Sequence, residues 1–378
     1  MSTFTTQSGI EILDPAPTGA VALPYHDNML ALSALRAPVV IRRGAQFLPY
    51  HAPDDTDPAA ETDVQRGTAL LAAFGDLESG DALFLNRAGV YDIGTDVIIP
   101  RVDGVTVKGL GMRSSVIKGE RFGSGAAGVM FYMGSNCYYQ DFGVDNDWAG
   151  EAAEATSKAF GLSPTAGDPI VNTVFHRVRG RGSGDALYIV EENTPSTSRS
   201  YNCEWWGRWD GVTVQWDGDH VCDGDFMRVE QTLSNQINGA AWIQRGATLT
   251  IRNSRLEVDG GSSTGNVIGV SSNLEGSLLI ISNSTVEVSG PSGTPFAFRT
   301  TFDGTLEIGR DVRYDRALVD GDGVINADQS IGFPETTDDP LDATPANRPP
   351  GRVGDCYIFD GDAYVCTNAA TPVYKAMT

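Results

Sequence analysis

The chain has 378 residues, enough for a large core or for two or three modules, and its 44 glycines with 41% apolar residues favour many short strands joined by tight turns. Its 49 acidic against 27 basic residues leave a formal net charge of −22, which repels nucleic acid and anionic lipid at long range and excludes both as expected partners. No apolar run is long enough for a transmembrane helix, and the opening MSTFTTQSGIEIL has neither the basic nor the apolar region of a secretory signal. Synthesis and folding in a cytoplasm, without membrane insertion, are the expectation. Five cysteines (Cys137, Cys203, Cys222, Cys356 and Cys366) form no CxxC pair, so buried thiols are expected, with no metal centre and no cofactor.

Residues 1–53 read as an attachment segment. A Pro/Gly-rich stretch, LDPAPTGAVALP (13–24), precedes Tyr25–Arg36, where Tyr25, Met29 and Leu32 lie on one face of a short helix. From Asp54 an acidic turn leads into a predicted helix near 62–74, with Val64, Leu71 and Phe74 among its apolar positions. Short β-rich runs punctuated by glycine follow over 81–119. Asp54, Asp55 and Thr56, then Leu83, Phe84, Leu85, Gly89 and Tyr91, then Ile99, Pro100, Val105, Val107, Gly109, Gly111 and Ile117 together resemble the entry segment of the pectate-lyase-like right-handed parallel β-helix superfamily. That resemblance implies an all-β solenoid over 54–332 with an N-terminal capping helix. It does not fix an activity, because the superfamily includes lyases, hydrolases and adhesins.

Internal repetition points to the same fold. LTIRNSRLEVDG (249–260) and LIISNSTVEVSG (279–290) coincide at Leu, Ile, Asn-Ser, Glu-Val and Gly, and weaker copies fall at Val107, Tyr139, Phe175, Phe226 and Ile308. Ile251 and Asn253 share one strand face whereas Leu256 and Val258 have the opposite parity, so the chain turns between them. Asparagine tolerates the left-handed conformation such a corner needs, so Asn253 and Asn283 are expected to stack there. Residues 333–378 read as a Pro/Asp-rich linker and a small β-hairpin module, with strands either side of Asp360-Gly361-Asp362.

Candidate chemistry is sparse. Asp145 with Asp147, Asp210, Asp217 with Asp219, and Asp223 with Asp225 all lie near turn-forming Gly or Asn, where Asp is expected on conformational grounds. DGDGVINADQ (320–329) is spaced like a calcium loop but has Leu318 and Gln329 at its first and last ligand positions. His220 and Cys222 read as a loop histidine beside a buried thiol. In NCEWWGRWDGVTVQW (202–216), alternation puts Glu204, Trp206 and Arg208 outside, and Trp205, Val212, Val214 and Trp216 in the core. An outward indole can stack on a sugar, so the expected glycan-binding set is Trp206, Asp210, Asp145 and Asp147, with no assignable catalytic residue.

The terminal modules look similar to those of phage spikes and fibres. The expected protein is therefore a homotrimeric appendage on a virion surface, held to other virion proteins by its N-terminal segment and binding a host surface polysaccharide or decorating the particle. A tailspike-type depolymerase, lyase or hydrolase, and a purely structural virion part are the alternatives.

Overall fold

The computed structural model describes residues 3–5, 11–13, 36–52, 61–98, 102–121, 128–146, 157–161, 170–190, 196–230, 239–261, 267–274, 276–289, 295–301, 303–309, 311–314, 324–327, 341, 356–359, 362–368 and 373–376. The chain winds as a parallel β-helix with three sheets. A repeating turn contributes a strand to the first sheet, such as Thr248–Arg252, then to the second, Arg255–Asp259, then to the third, Val267–Asn273. Among the described residues the sheets hold twelve, nine and seven strands respectively, and every pairing in the second and third is parallel.

The thirty-residue repeat is one turn of this solenoid. Leu249 pairs with Leu279, Ile251 with Ile281, Leu256 with Val286 and Val258 with Val288, all inward and buried. The expected corner is present: Asn253 (φ 53°) and Asn283 (φ 41°) are left-handed, and Asn283 Nδ2 donates to Asn253 Oδ1 at 2.6 Å. Arg177, Asn202 and Asp141 hold the same conformation at the equivalent corner of earlier turns. Val107, Tyr139, Phe175 and Ile308 fall in one inward column as the repeat predicts, but Phe226 lies in the second sheet and Cys222 takes its place. Turn length explains the slip. The register partners Ser198 and His220 are 22 residues apart, whereas Asn136 and Asn172, at another corner, are 36 apart.

Core composition changes along the axis. Early turns interleave Phe131, Tyr139, Phe142, Phe160, Phe175 and Trp205, with ring centroids as close as 5.1 Å, and later turns stack Leu, Ile and Val. Edge-to-face contacts such as Phe160 on Trp205, at 90°, suit the ring quadrupoles. Cys137, Cys203 and Cys222 are free and buried.

The open N-terminal end is covered. Thr62 caps the helix Asp63–Gly75 reciprocally with Gln65, and Ala69, Leu70, Ala73 and Phe74 face the core while Val64 is exposed. Gly67 allows the close approach, because a Cβ there would stand 1.8 Å from Asp92 O on the first strand of the second sheet. Val39–Arg43 and Gln46–Tyr50, inside the stretch the sequence assigns to attachment, extend the first sheet as antiparallel strands. Covering an end rung this way satisfies backbone groups that would otherwise recruit another chain.

At the far end Val324–Ala327 pairs in parallel with Thr305–Ile308, so the middle of the calcium-like segment is a strand. Cys356–Phe359, Asp362–Asn368 and Val373–Ala376 form a separate antiparallel sheet, one strand more than the expected hairpin. The expected Tyr25–Arg36 helix lies outside the described residues apart from Arg36. Among the described residues no helix is long and apolar enough to cross a membrane.

Candidate functional site

The residues expected to bind glycan do not converge. Trp206 and Asp145 share an outward column of the second sheet, where register runs Asp145, Arg181, Trp206, Arg228. Asp145 is half-buried and pairs with Arg181 at 3.3 Å. Trp206 points outward as alternation requires, yet neither ring face is open: the Arg179 guanidinium lies 4.8 Å from its centroid and that of Arg228 5.5 Å. Parallel stacking puts each side chain against its neighbours one rung away, so the cations occupy the surface a pyranose would need. Asp210, expected at the surface, is 3% exposed, because the corner turns its carboxylate inward to accept from Gly239 N at 3.0 Å. Asp147 lies outside the described residues. Trp216, expected in the core, sits half-buried at a left-handed corner with Arg245 stacked 4.1 Å from its ring.

His220 is not in a loop. It sits on the first-sheet strand Asp219–Asp223, fully buried in a column where Thr173 and Ser198 precede it and Leu249, Leu279 and Leu306 follow. Both ring nitrogens are met by hydroxyls, Nδ1 by Ser198 at 2.7 Å and Nε2 by Ser200 at 3.1 Å. Ser200 also bonds Asp225, whose carboxylate accepts from Cys203 N at 2.9 Å and Trp205 Nε1 at 3.0 Å. Burial drives the imidazole down to about 3 and the Asp225 carboxyl up to about 6. This serine, histidine and aspartate set is sealed in the core and serves packing.

A pair that sequence reading missed lies where the chain enters the third sheet. Asp185 and Asp210 stand on adjacent turns, 6% and 3% exposed, close enough to influence each other's ionisation. Burial pushes Asp185 up to about 6 against the pull of Lys158, and pushes Asp210 well above the carboxylate range, where the Asp185 charge adds to the effect. The two carboxyls are coupled, each is raised by burial, and Lys158 beside Asp185 is itself lowered by burial. Aligning GDALYIV (184–190) with WDGVTVQ (209–215) would have exposed the pair.

The third sheet's outer face then reads, turn by turn, Tyr188, Thr213, Trp242, Ser271, Arg299 in one column and Val190, Gln215, Gln244, Asn273, Thr301 in the next. Tyr188 and Trp242 are half-buried with small residues between them, so Thr213 and Ser271 are shielded at 1% and 2%. Lys158 Nζ lies 5.1 Å from the Tyr188 ring, and Asn273, oriented to satisfy its amide, accepts from Trp242 Nε1 at 2.7 Å. A third lateral feature is a cleft of about 1110 Å³ on the first sheet, with Phe47, Phe84 and Leu110 among its walls and Lys108 and Arg177 at its rim.

No family model and no curated protein matches the chain. Among solved structures it is similar to two Azotobacter vinelandii mannuronan C-5 epimerase A-modules. The AlgE6 module is 14% identical with a TM-score of 0.31, over 71% of this chain and 96% of that one. The AlgE4 module is 15% identical with a TM-score of 0.29, over 70% and 92%.

Proposed function

We propose that this chain is a polysaccharide-binding parallel β-helix that holds a glycan against the outer face of its third sheet without cleaving it. The observation that carries this reading is the ladder of half-buried Tyr188 and Trp242 on the sheet's outer face, with Gln244 beside Trp242. Aromatic rings supply apolar faces for sugar C–H groups, and amides supply paired donors and acceptors for hydroxyls. The ladder runs along the solenoid axis, as an extended polymer would. Placement on a virion surface, the homotrimer and a host polysaccharide as ligand are parts of the same proposal and rest on the sequence layout.

The cleaving alternative would draw on Asp185 and Asp210, both raised by burial. Glycosidic cleavage by two carboxylates needs them about 5–10 Å apart, with a water or the sugar between. These two are shielded from solvent at 6% and 3%, which keeps a sugar and a water from reaching them. Trp242→Ala should weaken retention on immobilised acidic and neutral bacterial polysaccharides while leaving the melting temperature within a few degrees of wild type. Undiminished retention would refute the third-sheet face as the site. Release of oligosaccharide by wild type, lost in Asp210→Asn, would establish the depolymerase instead.

A further inference from the structure

The outer face of the third sheet has a period of two rungs. Register places Gly161, Tyr188, Thr213, Trp242, Ser271 and Arg299 in one outward column, so a small residue alternates with a large flat group along the axis. Tyr132 precedes Gly161 in the same column but is buried, so the accessible series starts at Tyr188. Adjacent rungs of a parallel sheet stand about 4.8 Å apart, which puts Tyr188 and Trp242 about 9.6 Å apart along the axis.

The rings lie over the sheet instead of standing away from it. Trp242 Nε1 donates at 2.7 Å to Asn273, on the next rung and in the neighbouring column, which ties the indole edge down beside Ser271. Thr213 and Ser271 point outward yet are shielded, as they are when a ring leans over each. Lys158 Nζ lies against the Tyr188 ring, 5.1 Å from its centroid, and both rings stay partly exposed. The result is two flat apolar platforms in line with the solenoid axis, separated by one small residue.

A chain of pyranoses linked through equatorial oxygens is extended, advances by about one rung per sugar, and turns each sugar over relative to the last. The same sugar face therefore returns at every second residue, which is the interval from Tyr188 to Trp242. A chain linked through axial oxygens coils away from a straight wall and cannot meet both rings in this way. We propose that the third-sheet face selects by linkage and takes an extended, equatorially linked glycan, one sugar per rung, stacked on Tyr188 and Trp242 at alternate residues; this rests on the glycan-binding reading and adds the class of chain that fits. The shortest ligand that reaches both rings is a trisaccharide. Gln244, on the same strand and the same side as Trp242, is placed to meet its hydroxyls.

The test is titration of the full chain with oligosaccharides of two to five sugars. Cello-, chito- and cellouronic oligosaccharides present equatorial linkages, and malto-oligosaccharides an axial one. In at least one equatorial series, affinity should rise about fivefold from the disaccharide to the trisaccharide, the effect of one added stacking contact. The malto series should show no such step. Trp242→Ala and Tyr188→Ala should each abolish the step, and Trp242→Tyr, which keeps a ring on the same rung, should keep it. No step in any equatorial series, an equal step with malto-oligosaccharides, or a step that survives in both alanine variants would overturn the linkage proposal. Polysaccharide retention that Trp242→Ala weakens, without any such step, would leave the face as the site and remove only the linkage rule. Retention that Trp242→Ala leaves unchanged would remove both.

Discussion

Replacing Asp225 with asparagine should make the protein more sensitive to acid, and the size of the effect follows from the buried His220 network. In the folded state His220 is held at about 3 by burial, against an ordinary 6.5, so below pH 6.5 the unfolded chain takes up a proton that the native state refuses. Stability therefore falls as pH drops from about 6.5 to 3, by about 5 kcal/mol in all. Asp225 works the other way. Burial raises its carboxyl from 3.8 to about 6, so the folded state takes up the extra proton and stability rises by about 3 kcal/mol as pH falls through that window. The two slopes oppose each other between about pH 6 and 4, and only the histidine term acts below that. Asparagine removes the compensating term and retains an oxygen for Cys203 N–H. Urea unfolding followed by tryptophan fluorescence, at steps from neutral to about pH 3.5, should show the variant losing about 3 kcal/mol relative to wild type across the range. Because Asp185 and Asp210 are the same in both proteins, their contributions cancel in the difference. A difference that does not vary with pH would refute the reasoning, and His220→Gln should shift in the opposite direction.

Gly67→Ala should destabilise the capped end by several kcal/mol, because its Cβ would overlap Asp92 O and force the helix off the first rung; thermal melting and binding of an apolar dye would report it. Asn253→Ala loses the bonds to Asp223 and Asn283 and takes on a strained left-handed backbone, so a loss of about 2 kcal/mol is expected in urea melts, with no change in glycan retention. Arg177→Ala removes the two-toothed pair with Asp141, at 2.6 and 2.8 Å, but both groups sit at an exposed corner, so less than about 1 kcal/mol should be lost.

Much of the solenoid is legible in the sequence because its signals are local or strictly periodic. The repeat at 249–260 and 279–290 places Leu on Leu and Ile on Ile because parallel rungs must match side chains of equal size at one spacing. The parity flip after Asn253 announces a corner, and the acidic turn from Asp54 followed by spaced apolar residues such as Leu71 and Phe74 announces a helix. Alternation likewise sets the direction of Trp205 and Trp206. What alternation cannot supply is the identity of the neighbours one rung away, which depends on the length of each turn. Turns of 22 and of 36 residues lie in the same solenoid, so Arg179 and Arg228 reach the two faces of Trp206 only once every intervening loop has been counted. The same count brings Asp185 beside Asp210 and puts His220 between Ser198 and Leu249. Inward or outward is a property of one strand and is written in its own residues; what each side chain touches is set by the stacking of distant segments, and only the folded structure decides it.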